Sequence, residues 1–420
     1  MTPRGGADRE LLVENIGELL TIPSTARDAD AGRPGARLGI VHDASVAVKA
    51  GRVVYAGPAR GLPDELRALP RVDAGGALCT PALVEPHAHP VFAGSRAREF
   101  DLRARGATYL EIQAAGGGIR SSVLATRAAS DQELVDGTLA RLDRFLANGV
   151  TVVESKSGYD LTIEGELRLL RVLAEVRRRH VVDLSPTLLA HVPPLDGDRA
   201  EFVRRFTDEA IPTAQREGLA EAVDVYCDTG AFTLDEARTI LTAGQRAGLL
   251  LRAHAEQFTH TGVAELAAQL GARSVEHLEQ LGESAPALLA RAGTVCNLLP
   301  GAALTLRLPW PDARALLDAG CRVALGTDCN PGSSLTESLP LMMSLACMQL
   351  RMSCEEAWLG VTREAAHAVN RPDAGHLQPG ARGDLIIWDA SDHQEVVQHF
   401  GVPLVRTVFV AGQEAWARNR

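Results

Sequence analysis

The chain has 420 residues and a formal net charge of −10, with 46% hydrophobic and 23% charged residues. This composition excludes disorder or a fibrous repeat for the bulk of the chain, and the acidic balance argues against non-specific nucleic-acid binding. No apolar run approaches the roughly 18–20 residues of a membrane span, and the polar, glycine-containing N-terminus does not read as a signal peptide, so a cytoplasmic protein is expected.

Residues 10–78 read as short strands and turns. The segment 11–20 alternates around Gly17, and 44–48 with 52–55 form a hairpin about an Ala50-Gly51 turn. From about 79 to 367 the pattern changes. Short apolar runs such as 151–153 and 322–325 alternate with amphipathic stretches, which predicts helices over 131–147, 164–179, 212–217, 234–247 and 310–319. Strands alternating with helices imply a parallel sheet, and the span is long enough for eight βα units of roughly 36 residues. Gly116-Gly117-Gly118 lacks the Lys-Ser/Thr of a phosphate loop, and no Gly-x-Gly-x-x-Gly follows a strand. The end of the chain turns β-rich again, with strands over 383–389 and 405–410. The expected architecture is an α/β protein: a (β/α)8 TIM-type barrel over 79–367 and a small β-sandwich domain built from 1–78 plus 368–420.

Only Lys49 and Lys156 are lysines, a bias that fits a high-GC genome and sets Lys156 apart. The seven cysteines include no Cys-x-x-Cys, so neither a zinc knuckle nor a disulfide framework is indicated. The histidines carry more information. Pro86-His87-Ala88-His89 follows the apolar run 82–84, and in a strand residues i and i+2 face the same side. A single His-x-His arises readily by chance. Here, however, His254, His277 and Asp328 each close a further short apolar run, 165, 23 and 51 residues on in succession. Those intervals place them on strands 5, 6 and 8 if the His-x-His lies on strand 1. Strand C-termini converge at a barrel mouth, where three histidines and an aspartate make an open zinc or iron site.

The His-x-His, the two later histidines, Thr327-Asp328 and the return segment 380–385 resemble the amidohydrolase superfamily. Within it, the stretches 92–96, 109–119, 154–159 (Glu-Ser-Lys-Ser-Gly-Tyr), 186–194, 254–257 and 328–334 (Asp-Cys-Asn-Pro-Gly-Ser-Ser) are similar to the imidazolonepropionase family, over about residues 40–412. The resemblance implies one divalent ion per subunit, zinc or iron, held by His87, His89, His254 and Asp328. It implies ring-opening hydrolysis of 4-imidazolone-5-propanoate to N-formimidoyl-L-glutamate, in histidine degradation, by a metal-activated water. Asp328 would also carry a proton, and His277 would lie off the metal against the reacting carbonyl. Arg96 would pair with the propionate, while Tyr159, His191, Gln257, Asn330, Gly332 and Ser333 would contact substrate or product. Position 257 is Glu in some relatives; Gln cannot act as a base, which leaves a binding role.

Partners would be the small anionic substrate and a second copy in a homodimer, with no nucleic acid or membrane. Elsewhere in the superfamily a carboxylated lysine bridges two metals. Lys156 follows an early strand rather than the fourth, so a single ion is expected. Another cyclic amidase or a nucleobase deaminase on the same barrel is the alternative; a non-catalytic scaffold would typically lack the four ligands.

Overall fold

A computed structural model describes residues 9–23, 36–107, 111 and 117–418. Tyr109 and Gly116, within stretches singled out above, lie outside them. The N-terminal part supplies β1 (Leu11–Leu20), β2 (Ile40–Lys49), β3 (Arg52–Pro58), β4 (Arg71–Asp73) and β5 (Leu78–Pro81). Next come β6 (Leu83–Ala88), β7 (Val150–Lys156), β8 (Asp183–Ala190), β9 (Ala222–Cys227), β10 (Leu250–Ala255), β11 (Ser274–His277), β12 (Val295–Leu298) and β13 (Arg322–Leu325). The chain ends with β14 (Leu385–Trp388), β15 (Val405–Val410) and β16 (Gln413–Ala417).

Both chain ends build one sheet in the order β16-β15-β14-β5-β1-β2-β3, with β4 pairing β1. Its β2–β3 hairpin turns at Ala50 and Gly51, both at positive φ (51° and 76°), the conformation of a tight hairpin turn. Strands β6 to β13 pair in sequence as a parallel sheet. Several are buried along their whole length, β7 and β8 among them apart from half-buried Asp183, as expected of strands packed on both faces.

The barrel closes where β13 meets β6, and side-chain bonds contribute to that closure. Ala88 bridges Cys329, His89 N donates to Cys329 O (2.9 Å) and Asp328 N donates to His87 O (3.1 Å). Beneath them the buried Glu85 carboxylate accepts from Thr327 N (3.0 Å) and His87 N (2.9 Å). One side chain thus joins the first and last barrel strands just below the strand ends.

Outer helices start where the sequence offers caps. Ser130 with Glu133, Thr233 with Glu236 and Ser353 with Glu356 form reciprocal capping boxes. The stretch expected at 310–319 is helical only over Ala313–Asp318, because Pro311 precedes the turn and Asp312 caps Ala315 N. The helix expected at 212–217 continues an earlier one. Arg199–Arg205 passes through a π turn (Phe206–Ala210) into Ile211–Arg216, and Pro212 has no N–H for the carbonyl four residues back. Trp358 and Trp388, both fully buried, meet edge to face at 5.7 Å and join the outer helix Cys354–Gly360 to the terminal sheet. No helix among the described residues is long and apolar enough to cross a membrane.

A buried pair joins that helical layer to the terminal sheet. His393 Nδ1 lies 2.8 Å from Glu18 Oε1. Burial alone would lower the His393 pKa; the Glu18 contact more than offsets it and raises the value. A raised folded pKa stabilises fully below the ordinary histidine value, about 6.5, and the contribution fades as pH rises through the folded value. In urea unfolding, Glu18→Gln should therefore lose more stability relative to the unmodified protein at pH 6 than at pH 8.5.

Candidate active site

The C-terminal ends of the barrel strands surround a cavity of about 950 Å³. His87 sits in β6 and His89 just beyond it, His254 in the fifth barrel strand β10, and His277 ends the sixth, β11. Asp328 follows the eighth, β13, at positive φ (51°). All five are buried at 3% exposure or less. Nε2 of His89 is 3.3 Å from Nε2 of both His87 and His254. Asp328 Oδ1 is 3.5 Å from Nε2 of His87 and of His89.

Burial drives the imidazole pKa of His87 and His89 well below the usual value and that of His254 to about 3. Neutral rings present lone pairs, and lone pairs aimed at one another and at a carboxylate repel unless a cation stands among them. The Nδ1 atoms of His87 and His89 have no hydrogen-bond partner among the described residues. Three imidazole nitrogens and one carboxylate oxygen in so small a volume are a donor set suited to a single divalent ion.

A layer of buried charge underlies this cluster. Asp224, in β9, places Oδ2 3.0 Å from His254 Nδ1, a contact that favours the tautomer with the lone pair on Nε2. Lys156 Nζ donates to Asp224 Oδ2 (2.8 Å) and Glu154 Oε1 (3.0 Å), and none of the three side chains is exposed to solvent. Burial opposes the charge on Lys156, but Asp224 and Glu154 outweigh it and hold the pKa above the ordinary lysine value. An ammonium ion clamped between two carboxylates has no lone pair to become a carbamate.

The other predicted residues ring the same cavity. Burial lowers the His191 pKa to about 4. Its Nδ1 lies 2.8 Å from Gly158 O and so carries the proton, leaving Nε2 as an acceptor; the ring stacks on His89 at 5.5 Å. Tyr159 stands edge-on to His191, and burial raises its phenol pKa, so the hydroxyl is a donor. Gln257 Oε1 accepts from the Tyr226 hydroxyl (2.9 Å), which leaves its amide N–H groups for a ligand. Asn330 spends its side chain on its own loop: Oδ1 accepts from Gly332 N and Ser333 N, and Nδ2 donates to Asp328 O and Ser333 Oγ. Ser333 Oγ in turn donates to Asp328 Oδ2 (3.2 Å).

Arg96 stands at the start of the helix Ala97–Ala104 and pairs with Glu99 Oε2 at 2.8 Å. A Cβ placed on Gly332 would lie 2.3 Å from Arg96 Nη1, so the guanidinium occupies the space a side chain would need. Gly332→Ala should displace it. Steady-state kinetics should then show KM raised severalfold with the metal content of the purified protein unchanged.

Sequence reasoning did not single out Glu85, Arg103, Asp224 or Tyr226. Asp224 carried a signal, since an ionisable residue within the apolar run 222–227 must find a buried partner. Arg103 carried none, because its placement depends on the loop after β13.

Residues 106–415 match the amidohydrolase family, the class that this barrel and its mouth of histidines and aspartate define. The imidazolonepropionase of Myxococcus xanthus is 44% identical over 416 residues, covering 97% of each chain. That of Geobacillus kaustophilus is 42% identical over 413 residues, 96% of this chain and 97% of the relative. The chain therefore belongs to the imidazolonepropionase family of amidohydrolases. Solved structures show the same fold at low identity. A zinc-bound adenosine deaminase from Xanthomonas campestris superposes with a TM-score of 0.71 at 19% identity, covering 97% of this chain and 93% of its own. A guanine deaminase from C. acetobutylicum gives 0.69 at 14%, covering 97% and 100%.

Proposed function

We infer that the protein hydrolyses the ring C–N bond of 4-imidazolone-5-propanoate to N-formimidoyl-L-glutamate. The observation that carries this reading is one cavity lined both by His89, His254 and Asp328 of the donor cluster and by Arg96, Tyr159 and His191. His87, His89, His254 and Asp328 would hold one divalent ion, zinc or iron. Such an ion lowers the pKa of a water and polarises a carbonyl.

The chain's own residues do the rest. Arg96 orients the propionate through its guanidinium. Tyr159 donates its hydroxyl to the ligand and His191 accepts at Nε2, fixing the ring over the donor cluster, with the amide of Gln257 as a further donor. His277, whose ring centroid lies 5.5 Å from that of His254, hydrogen-bonds the reacting carbonyl oxygen. Asp328 takes the proton of the attacking water and returns it to the ring nitrogen as the C–N bond breaks. Ser333, donating to Asp328 Oδ2, keeps that carboxylate in place.

Metal-loaded protein mixed with freshly generated imidazolone propanoate should abolish the ring absorbance. No turnover of that compound, together with turnover of guanine or adenosine, would overturn the assignment in favour of a deaminase.

A further inference from the structure

We propose that Arg103 is a second carboxylate-binding residue of this cavity and supplies the positive charge that Glu99 cancels on Arg96. The inference rests on the reading of an anionic substrate and deepens it.

Arg96 alone is an incomplete anion site. Its guanidinium is paired with Glu99, a residue only 7% exposed. The second oxygen of Glu99 accepts from Ser121 Oγ (3.0 Å), which holds the carboxylate in place. Arg96 and Glu99 together carry no net charge. A carboxylate approaching Arg96 meets a fixed carboxylate beside it, in a poorly solvated pocket where repulsion is weakly screened. The chain's overall charge of −10 adds to the difficulty.

Arg103 removes it. It lies seven residues beyond Arg96 along the helix Ala97–Ala104, two turns on and so on the same side. Glu99 is four residues before it, the usual spacing for an ion pair, yet Glu99 is committed to Arg96 and Ser121. No carboxylate among the described residues forms an ion pair with Arg103. Its Nη1 and Nη2 instead donate to one neutral acceptor, Gly332 O, each at a long 3.3 Å. Gly332 is also the residue whose missing side chain admits Arg96. Two guanidinium groups thus converge on one glycine at the cavity wall, with one carboxylate between them. Burial and the neighbouring Arg96 lower the Arg103 pKa, as expected of a cation lacking its counter-ion. A ligand carboxylate supplies that counter-ion, and the forked geometry of each guanidinium suits it.

The test compares imidazole-4-propionate with its methyl ester, titrated by calorimetry into the metal-loaded protein and its Arg103→Gln and Arg103→Lys variants. The unmodified protein should prefer the acid. Arg103→Gln should weaken acid binding by roughly tenfold or more, the loss of one charged hydrogen bond, and leave ester binding unchanged. Arg103→Lys should recover part of the preference. KM for imidazolone propanoate should rise with the acid's Kd, with kcat and metal content unchanged. Arg103→Gln binding both probes like the unmodified protein, or losing both equally, would overturn the proposal. These titrations need no turnover, so they decide the role of Arg103 separately from the hydrolysis assay.

Discussion

His87→Ala should lose bound metal and turnover together. The residue is fully buried in β6, its Nε2 3.3 Å from that of His89 and 3.5 Å from Asp328 Oδ1. Removing the ring deletes one of four donors, and the Glu85 bonds below keep β6 from shifting to replace it. Metal analysis of the purified variant should show far less than the content of the unmodified protein, and kcat should fall to background. The urea midpoint should fall only to about that of the chelator-treated unmodified protein, since the pairing of β6 with β7 does not use the imidazole. A variant that keeps its metal would show that His87 is not a ligand.

The second large effect is expected at Lys156. Lys156→Met keeps the length of the side chain and removes its charge. It leaves Asp224 buried without its cation and Glu154 with only the more distant Arg252, 3.6 Å away. Breaking a buried ion pair from one side typically costs about 3–5 kcal/mol, so a large drop in urea or thermal stability should follow. Asp224 would also be a poorer partner for His254 Nδ1, and loss of such supporting contacts typically weakens metal affinity about 10–100-fold. Equilibrium dialysis against zinc measures this. The same variant tests metal stoichiometry. If Lys156 neutralises its neighbours, the unmodified protein holds one ion per chain, and added short carboxylic acids do not rescue Lys156→Met. Two ions per chain, or rescue by such acids, would mean that Lys156 bridges metals as a carbamate.

Much of the site was legible because barrel chemistry is local to strand ends. His87 and His89 follow an apolar run, His254, His277 and Asp328 close three others, and the parallel order of the strands brings all five to one mouth. The strand pattern of both chain ends was legible for a similar reason: alternation and turn residues act over a few positions. What could not be read depends on pairings between distant segments. Glu85 looks like one acid in a buried strand until β13 is placed beside β6. Arg103 looks like a helix-surface arginine until the loop after β13 brings Gly332 to it. Pro212 signals a break in regular helix, but whether the chain stops or passes through a π turn is decided by the packing of Phe206 and Ile211 in the core.

The joint between the first and last barrel strands has a consequence for assembly. Glu85 and Thr327 are 242 residues apart in the chain, so this contact forms only once the other six strands are in place. The donors straddle the same joint, with His87 and His89 on one side and Asp328 on the other. Ion binding therefore favours the closed ring. Free ion at 100 times its dissociation constant would add about 2.7 kcal/mol to the closed form. Chelation should lower the melting temperature, and amide hydrogen exchange should quicken first at His89, Thr327 and Asp328, whose N–H groups bond across the joint.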